Sequence, residues 1–598
     1  MAAHGGVMTS SLITAISWER VHLSLTVLLT GYGQGAESVQ FVIVDGKRVF
    51  PVKTTPVGDQ RYRIDINVTN FRNRTQVPNG TWRIVPQVDG EIWSPHADGP
   101  SRRLTCVAGD VAAGLPVAAS YDLTEAHGLD EHSRVFLFGD NHAAYVIAFG
   151  LSENDEHPEF LMRTYLLGRR RMPDQNAAKP SLGRRFSRKM LSPARRRKLV
   201  NRGYRLSRLI NPPRGNRILF ASERRTGIEG NLARVQERMI ERGLNTRCKF
   251  RYCFRIPSTV SGWNTLRAIY LLATSDIVLI DDHYGLLGEL NLSPETKIIQ
   301  LWHAGSGFKS IGYSRFGSYG SAGLVGAHRK YTYAIAGSKN LVPVYAEAFG
   351  IEQSAVVATG LPRIDTFLNK ERTRKVVAGF FAQYPNLNGK RIILFAPTFR
   401  GRGIEDAHYD YARIDFGKLH EMCGERSVVL FRMHHFVSAQ APIPPQYADR
   451  LLDFKSFPET NDLLHVADVL ITDYSSVIYE FSLLNKPMLF YAYDKDAYSA
   501  VRGFHRDYDA TAPGKVCPTF DELVKALQNE DYDMSKLEAF QRENFDYRDT
   551  GSADRVIDWL ILDDPPAGAQ ATSEPACRDP ATAGVAASPR AATRGRKP

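Results

Sequence analysis

The run VHLSLTVLL places Val21, Leu23, Leu25, Val27 and Leu29 on one side of an extended chain and mostly polar residues on the other. A period of two is the mark of a strand buried on one face. Asp45-Gly46 then separates VQFVIV from KRVFPV, and Asp89-Gly90 separates WRIVPQV from EIW. Such pairs supply the positive backbone angles of a tight hairpin turn. Another hairpin is expected from Arg134–Phe138 and Ala144–Phe149 around GDNHA. Residues 1–150 are therefore predicted to form an all-β, sandwich-like domain of about seven strands.

Beyond Arg217 the pattern changes to short apolar runs, each followed by a stretch with helical spacing. RILFAS precedes NLARVQERMIERG, and DIVLIDD, KIIQLWH, YTYAIAGS and AVVATG come after it. A second series consists of RIILFAPT, SVVLFRMH, ADVLITD and PMLFYAYD. Alternating strand and helix builds a parallel, doubly wound α/β sheet, which binds ligands outside the carboxyl ends of its strands. Two Rossmann-like domains facing across a cleft are predicted, residues 215–375 and 376–562, with the boundary within 370–385.

Charge adds a fourth region. The chain carries a formal +12, yet Arg163 to Arg217 hold 18 Lys or Arg against one acid, Asp174, which leaves the remainder at −5. Within this basic segment, residues 151–214, Ser192-Pro193 reads as an N-cap followed by proline at the first helical position, and the helix should run to Ile210. Leu199, Leu206 and Ile210 gather near one face with Tyr204 beside them, while Arg195, Arg196, Arg197, Lys198, Arg202, Arg205 and Arg208 cover much of the rest. Phe186 and Met190 suggest a similar short helix just before it. Such a helix is expected to lie in the headgroup layer of an anionic membrane. An anionic wall polymer, nucleic acid or plain solvent are the rival surroundings, and nucleic acid is not the expected partner.

The composition is otherwise ordinary, at 43% hydrophobic residues, and excludes wholesale disorder. The Pro, Ala and Gly-rich tail, residues 563–598, is expected to stay unfolded. No run of about 18 apolar residues suggests a membrane span. The N-terminus lacks a basic n-region, and Glu19 and Arg20 interrupt its apolar stretch, so no signal peptide is expected and the protein is placed in the cytoplasm. The six cysteines show no metal-ligand spacing, and neither a metal nor another cofactor is predicted.

Chemistry is expected at the strand ends. KIIQL delivers Trp302-His303 into a loop holding Gly305 and Gly307, and an imidazole there suits a general base for a hydroxyl nucleophile. Gly305 and Lys309 are the other acceptor-side candidates. SVVLF delivers Arg432, His434 and His435, a cation and imidazoles fit for phosphoryl charge. ADVLIT ends at Asp473, and Ser475 and Ser476 open the helix VIYEFSLL, whose free N–H groups make a pyrophosphate cradle unless Ser475 is simply its N-cap. Glu480, one turn further, is placed to face a ribose. Arg363 in GLPRIDTF, Thr398 and Arg400 in LFAPTFRG, and Arg502 in VRGFHRDYDATAPG complete the donor-side set.

The series WHAGSGFKSIG, GLPRID, FAPTFRG, RMHH, LLHVADVLITDYSSVIYEFSLLNKPMLFYAYD and RGFHRDYDATAPG resembles the CDP-glycerol glycerophosphotransferases, the primases and polymerases of teichoic acid synthesis. The likeness covers roughly residues 215–555. It implies a GT-B fold and a peripheral place on the cytoplasmic face of the cell membrane. It further implies transfer of glycerol phosphate or a related polyol phosphate from CDP-glycerol or another CDP-polyol to a lipid-linked acceptor, with release of CMP. By position, the resemblance makes His303 the base that deprotonates the acceptor hydroxyl and His434 the group that stabilises the donor phosphate. Ser475, Ser476 and Glu480 match its donor-nucleotide element. The sequence departs from the family in WHAGSG for WHGTP, and in RMHH for KxHP, where Arg432 and His435 replace the lysine and the proline. A sugar transferase of the same architecture and a non-catalytic wall-polymer or membrane-binding protein are the alternative functions.

Overall fold

The computed structural model of the chain describes residues 10–30, 38–46, 48–88, 91–92, 120–121, 129–138, 143–152, 159–168, 193–256, 262–303, 305, 307–318, 321, 323–401 and 404–566. Ser192, the short helix expected around Phe186 and Met190, the Asp89-Gly90 turn and nearly all of the tail lie outside them.

The first eleven strands are β1 (Ser10–Glu19), β2 (His22–Thr30), β3 (Val39–Asp45), β4 (Arg48–Gly58), β5 (Arg61–Asn67), β6 (Gly80–Val88), β7 (Glu91–Ile92), β8 (Ser120–Tyr121), β9 (Arg134–Phe138), β10 (Ala143–Leu151) and β11 (Phe160–Gly168). They form one sheet in the order β8-β1-β2-β5-β4-β3-β6-β11-β10-β9, with β7 attached to β6. The expected sandwich of separate sheets is replaced by a continuous one, because β4 is long enough to serve two neighbours. Its first half, to Val52, pairs with β3, and from Lys53 it pairs with β5. Leu23, Leu25, Val27 and Ile64 from one half share a core with Phe41, Trp82, Ile84, Tyr145 and Phe160 from the other. The strict alternation of β2 is thus used as read, its even-numbered side facing outwards. The all-β region also runs past its expected limit at residue 150, since β11 lies between β6 and β10.

Six parallel strands follow, β12 (Arg217–Ser222), β13 (Lys249–Phe254), β14 (Ile277–Ile280), β15 (Lys297–Gln300), β16 (Tyr333–Ile335) and β17 (Val356–Val357). Their order is β13-β12-β14-β15-β16-β17. The second parallel sheet contains β18 (Arg391–Phe395), β19 (Ser427–Phe431), β20 (Leu451–Asp453), β21 (Val469–Thr472), β22 (Met488–Tyr491) and β23 (Lys515–Cys517), in the order β20-β19-β18-β21-β22-β23. The order reverses between β12 and β14 in one sheet and between β18 and β21 in the other. Those reversals open the crevices where doubly wound sheets take ligands. Helices bury both faces, which is why strands such as β12 and β19 are buried along their whole length and apolar in their interiors.

The chain crosses between the two Rossmann-like domains twice. After the second sheet, residues 552–561 return to the first domain, where the N–H groups of Ser552 and Ala553 donate to Asp365 at 2.9 and 2.8 Å. Arg238 and Arg242 of the first domain then pair with Asp554 and Asp558.

The β domain is docked at two turns whose tips have left-handed backbone. Arg20 (φ 54) reaches across from the β1–β2 turn to buried Glu347, with Nε–Oε1 at 2.7 Å, and also donates to the carbonyl of His505 at 3.1 Å. Arg74 (φ 59) donates to the carbonyls of Arg329 and Tyr331 and pairs with Glu352. Burial opposes the charge of Glu347, but hydrogen bonds from His22, His505 and Arg20 outweigh it and hold the carboxyl well below its usual range. Tyr313, Phe316 and Leu324, downstream of His303, complete the β-domain core.

The basic helix, Pro193–Ile210, has the predicted extent and packs on the protein through the side away from its leucines. Tyr204, expected at the edge, is its anchor, buried against Ala268 and Leu272 of the helix Gly262–Ala273. Asn201 fixes it further, donating to the Glu289 carbonyl and accepting from Asn291 N–H. Leu199, Leu206, Leu209 and Ile210 face outwards, 57–78% exposed.

Candidate active site

The cleft is built from strand ends. Trp302 takes a left-handed backbone (φ 53) immediately after β15, turning the chain so that His303 leaves the sheet. Asn231 makes this turn possible: its buried amide donates to the carbonyls of Leu301 and Trp302 at 2.8 Å and accepts from Arg363 N–H at 2.8 Å. The imidazole packs on Trp302, and its buried Nδ1 lies 3.4 Å from Asp282 Oδ2, close enough for an ion pair but without a hydrogen bond. Burial lowers the His303 pKa, Asp282 opposes the shift, and Arg224, Arg363 and Arg225 reinforce it. A neutral imidazole near neutral pH is the state a general base needs.

Three of these residues escaped the sequence reading. Arg224 and Arg225 follow β12, Asp282 follows β14, and both strands border the reversal in the first sheet. The strand-end rule used for His303 finds them as readily. Arg224 pairs with Asp282 at 3.2 Å and Arg225 with Asp281 at 3.0 Å. Both guanidinium groups also act on His435 of the opposite domain, so their charge spans the cleft.

On the donor side, His434 lies against Phe399, His435 and Phe436. Its Nδ1 accepts from Phe436 N–H at 3.2 Å, which leaves the proton on Nε2. Burial, with His435, Lys309 and Arg432 adding to it, lowers its pKa to about 3. It is therefore a neutral hydrogen-bond donor. Lys309, expected on the acceptor side, acts on this donor-side histidine and bridges to Phe504. Arg432 turns partly away, donating to Thr460 Oγ1 and to the carbonyls of Phe454 and Lys455. Arg502 lies over Phe399 and donates to the Gly401 carbonyl.

Several predicted donor ligands bind one another instead. Asp473, 1% exposed, accepts from Thr398 N and Oγ1 at 2.8 and 2.7 Å, from Tyr474 N, and from Arg400 at 2.9 Å. The Arg400 fork is closed on Asp494 at 2.6 and 2.8 Å. Burial works against its charge, but Asp473 and Asp494 outweigh it and raise the pKa. Thr398, Arg400 and Asp473 thus tie β18 to β21 at the second reversal, leaving little of their hydrogen-bonding capacity for a phosphate. Glu480 is likewise not turned to a ribose through Oε1, which lies 3.1 Å from Arg363 Nε. Arg363 also donates to the His303 carbonyl, so this pair joins the two sides of the cleft. Ser475 Oγ accepts from Val477 N–H at 3.4 Å, as a local cap, whereas Ser476 makes no capping bond.

Gly305 is where the His303 loop meets the donor side. A Cβ here would come within 2.3 Å of the Tyr479 ring, closer than any side chain tolerates. Gly305→Ala is expected to displace the loop and reduce turnover by about 10²-fold, as a roughly 1 Å misplacement of reacting groups does. Steady-state assays of the variant and of Gly305→Ala with Tyr479→Ala, which should recover part of the loss, check this.

The chain is similar to proteins of known family. The model of the family described as CDP-Glycerol:Poly(glycerophosphate) glycerophosphotransferase matches residues 204–562, more than half of the chain. The teichoic acid poly(ribitol-phosphate) polymerase of Bacillus spizizenii is 40% identical over 365 residues, 61% of this chain and 59% of that protein. The ribitol-phosphate polymerase TarK of Staphylococcus aureus is 36% identical over 59% of this chain and 70% of its own length. The teichoic acid glycerol-phosphate primase of Bacillus subtilis is 29% identical over 49% of this chain and 76% of its own. The solved wall teichoic acid polymerase TagF shares the α/β glycosyltransferase-type fold at a TM-score of 0.50 and 21% identity, over 63% of this chain and 95% of that one. The chain belongs to the CDP-glycerol:poly(glycerophosphate) glycerophosphotransferase family.

Proposed function

We propose that the protein transfers a polyol phosphate from a CDP-activated donor to a hydroxyl of a membrane-linked, teichoic-acid-type acceptor. The observation that carries this reading is that Arg224 and Arg225 act both on His303, at a strand end of the first domain, and on His435, which stacks on His434 at a strand end of the second. The acceptor oxygen attacks the polyol-bearing β-phosphorus, forming one P–O bond as the bond to CMP breaks. CMP leaves with the electron pair, and the hydroxyl proton passes to Nε2 of His303, whose Nδ1 lies 3.4 Å from Asp282 Oδ2. His434 donates its Nε2–H to a pyrophosphate oxygen, where negative charge grows in the transition state. Arg432, Arg502, Lys309 and Ser476 supply further donors around that phosphate.

Ribitol phosphate is the favoured cargo, since relatives named as ribitol-phosphate polymerases match at 40% and 36% identity and the glycerol-phosphate primase at 29%. CMP release with CDP-ribitol and CDP-glycerol in parallel, on a lipid-linked acceptor, tests this. Faster release with CDP-ribitol is expected. Consumption of a nucleotide sugar in place of both would make the protein a sugar transferase.

The enzyme sits peripherally on the cytoplasmic face of the membrane in this reading. No helix among the described residues is long and apolar enough to cross a membrane. The outward leucines of the basic helix, together with exposed Trp263 and Leu266 on its neighbour, offer apolar contact beside cationic residues. Leu206→Ser with Leu209→Ser is expected to weaken co-sedimentation with anionic vesicles about tenfold, and unchanged sedimentation would move the contact elsewhere.

A further inference from the structure

One flank of the basic helix faces a groove of about 950 Å³, with Arg197, Lys198, Arg202 and Arg205 on one wall and Glu289 and Asn291 on the other. Among the described residues, Glu289 is the one carboxylate lining it, and Arg196 takes that group. Lys330 lies close to Arg197 and Arg74, and burial followed by those two charges pushes its pKa down. The protein has thus gathered cations in a concavity without matching acids, a distribution that concentrates anions.

The groove backs onto the acceptor side of the cleft. Gly288, on its wall, rests against the Ala327 backbone so closely that a Cβ would lie 3.2 Å from Ala327 N. His328, the next residue, packs on His283 with ring centroids 4.9 Å apart. His283 in turn follows Asp282, the partner of His303. A chain of contacts through Gly288, His328 and Asp282 therefore links the groove wall to the base.

We propose that this groove binds the phosphodiester chain of the acceptor, several phosphates back from the hydroxyl presented to His303. The inference rests on the polyol-phosphate transfer proposed above and names where the growing polymer is held. Lys198, Arg202 and Arg205 succeed one another at four and three residues, about 6 and 4.5 Å along the helix axis. A row of cations at that interval matches a polymer bearing one anion per short polyol, whereas a lone phosphate would engage one or two of them. Leu199, Leu206 and Ile210 are exposed and lie about a quarter-turn or more round the helix from Lys198 and Arg205.

The test is binding without donor. Fluorescence anisotropy of a labelled, water-soluble oligo(ribitol phosphate) is measured for wild type, for Lys198→Glu with Arg202→Glu, and for the milder Lys330→Met, each with its thermal unfolding midpoint. The double variant should bind at least tenfold more weakly at an unchanged midpoint, Lys330→Met should weaken binding to a smaller extent, and wild-type affinity should fall steeply with salt. Oligomer binding unaffected in both variants overturns the proposal. So does loss of anionic-vesicle binding with oligomer binding intact, which would assign the groove to the membrane. Equal or tighter binding of single-stranded RNA of the same length would assign it to nucleic acid. Failure of the transferase reading would show separately, as absent CMP release from a wild type that still binds the oligomer.

Discussion

Replacing His303 with alanine is expected to lower CMP release from the CDP-polyol by about 10²- to 10⁴-fold, the usual contribution of a positioned general base, with a much smaller change in donor KM. The pH profile separates this role from a packing defect. Burial lowers the pKa of His303 despite Asp282, and the base acts unprotonated. Wild-type kcat/KM should therefore hold steady as pH falls to about 6.5, the ordinary imidazole value, and decline only below it. The acidic limb should vanish in His303→Ala. In Asp282→Asn, loss of the neighbouring negative charge should move the limb to still lower pH. A profile unchanged in His303→Ala would remove this residue from the chemistry.

The second large effect concerns folding. Asp473→Ala removes the acceptor of Thr398 N and Oγ1 and of Tyr474 N, and strips Arg400 of one of its two carboxylates. Breaking a buried ion pair from one side destabilises by about 3–5 kcal/mol, and a shift of that size in the urea unfolding of the protein is expected. Arg400→Met alone should be comparably harmful, because it leaves Asp473 and Asp494 facing one another's charge. The double variant Arg400→Met with Asp473→Asn should lose less than the two single effects combined. Normal stability with abolished donor binding would instead make this cluster a phosphate site.

The architecture was legible wherever a local period forces it. Strands buried on both faces read as continuous apolar runs, and RILFAS, SVVLF and ADVLIT fall where the parallel sheets have β12, β19 and β21. The β domain was harder. Its eleven-stranded continuity depends on β4 changing partners between Val52 and Lys53, and strand pairing leaves no local mark. FLMRTYLLG was absorbed into the basic segment because arginines follow it, although Phe160 and Met162 are core residues. For the basic helix the sequence displays an apolar arc without saying what covers it. Protein covers Tyr204, and the leucines stay outside. The site shows the same limit. A strand-end position brings Arg400 and Asp473 to the cleft's edge, but whether such groups await a ligand or satisfy each other depends on spacing across 73 positions of chain. Asn231, distant from every motif, was invisible for that reason.

The contact of Arg20 with His505 joins residues 485 positions apart, which sets an order of events during synthesis. At about 5–20 residues per second, a ribosome needs roughly 25–100 s to make the intervening chain. The strands of the β domain therefore emerge long before either Glu347 or His505 exists, although Tyr313, Phe316 and Leu324 must follow to complete their core, and the Arg20 turn waits in solvent. Glu347 appears next, as the first parallel sheet nears completion, and His505 arrives last, just after the helix Lys495–Arg502. A nascent chain stopped between these two points would hold a nearly finished acceptor side with its donor loop still unmade. The ion-paired corner at Arg20 thus closes only after both parallel sheets have been largely translated, and the pairs of Arg238 and Arg242 with Asp554 and Asp558 close later still.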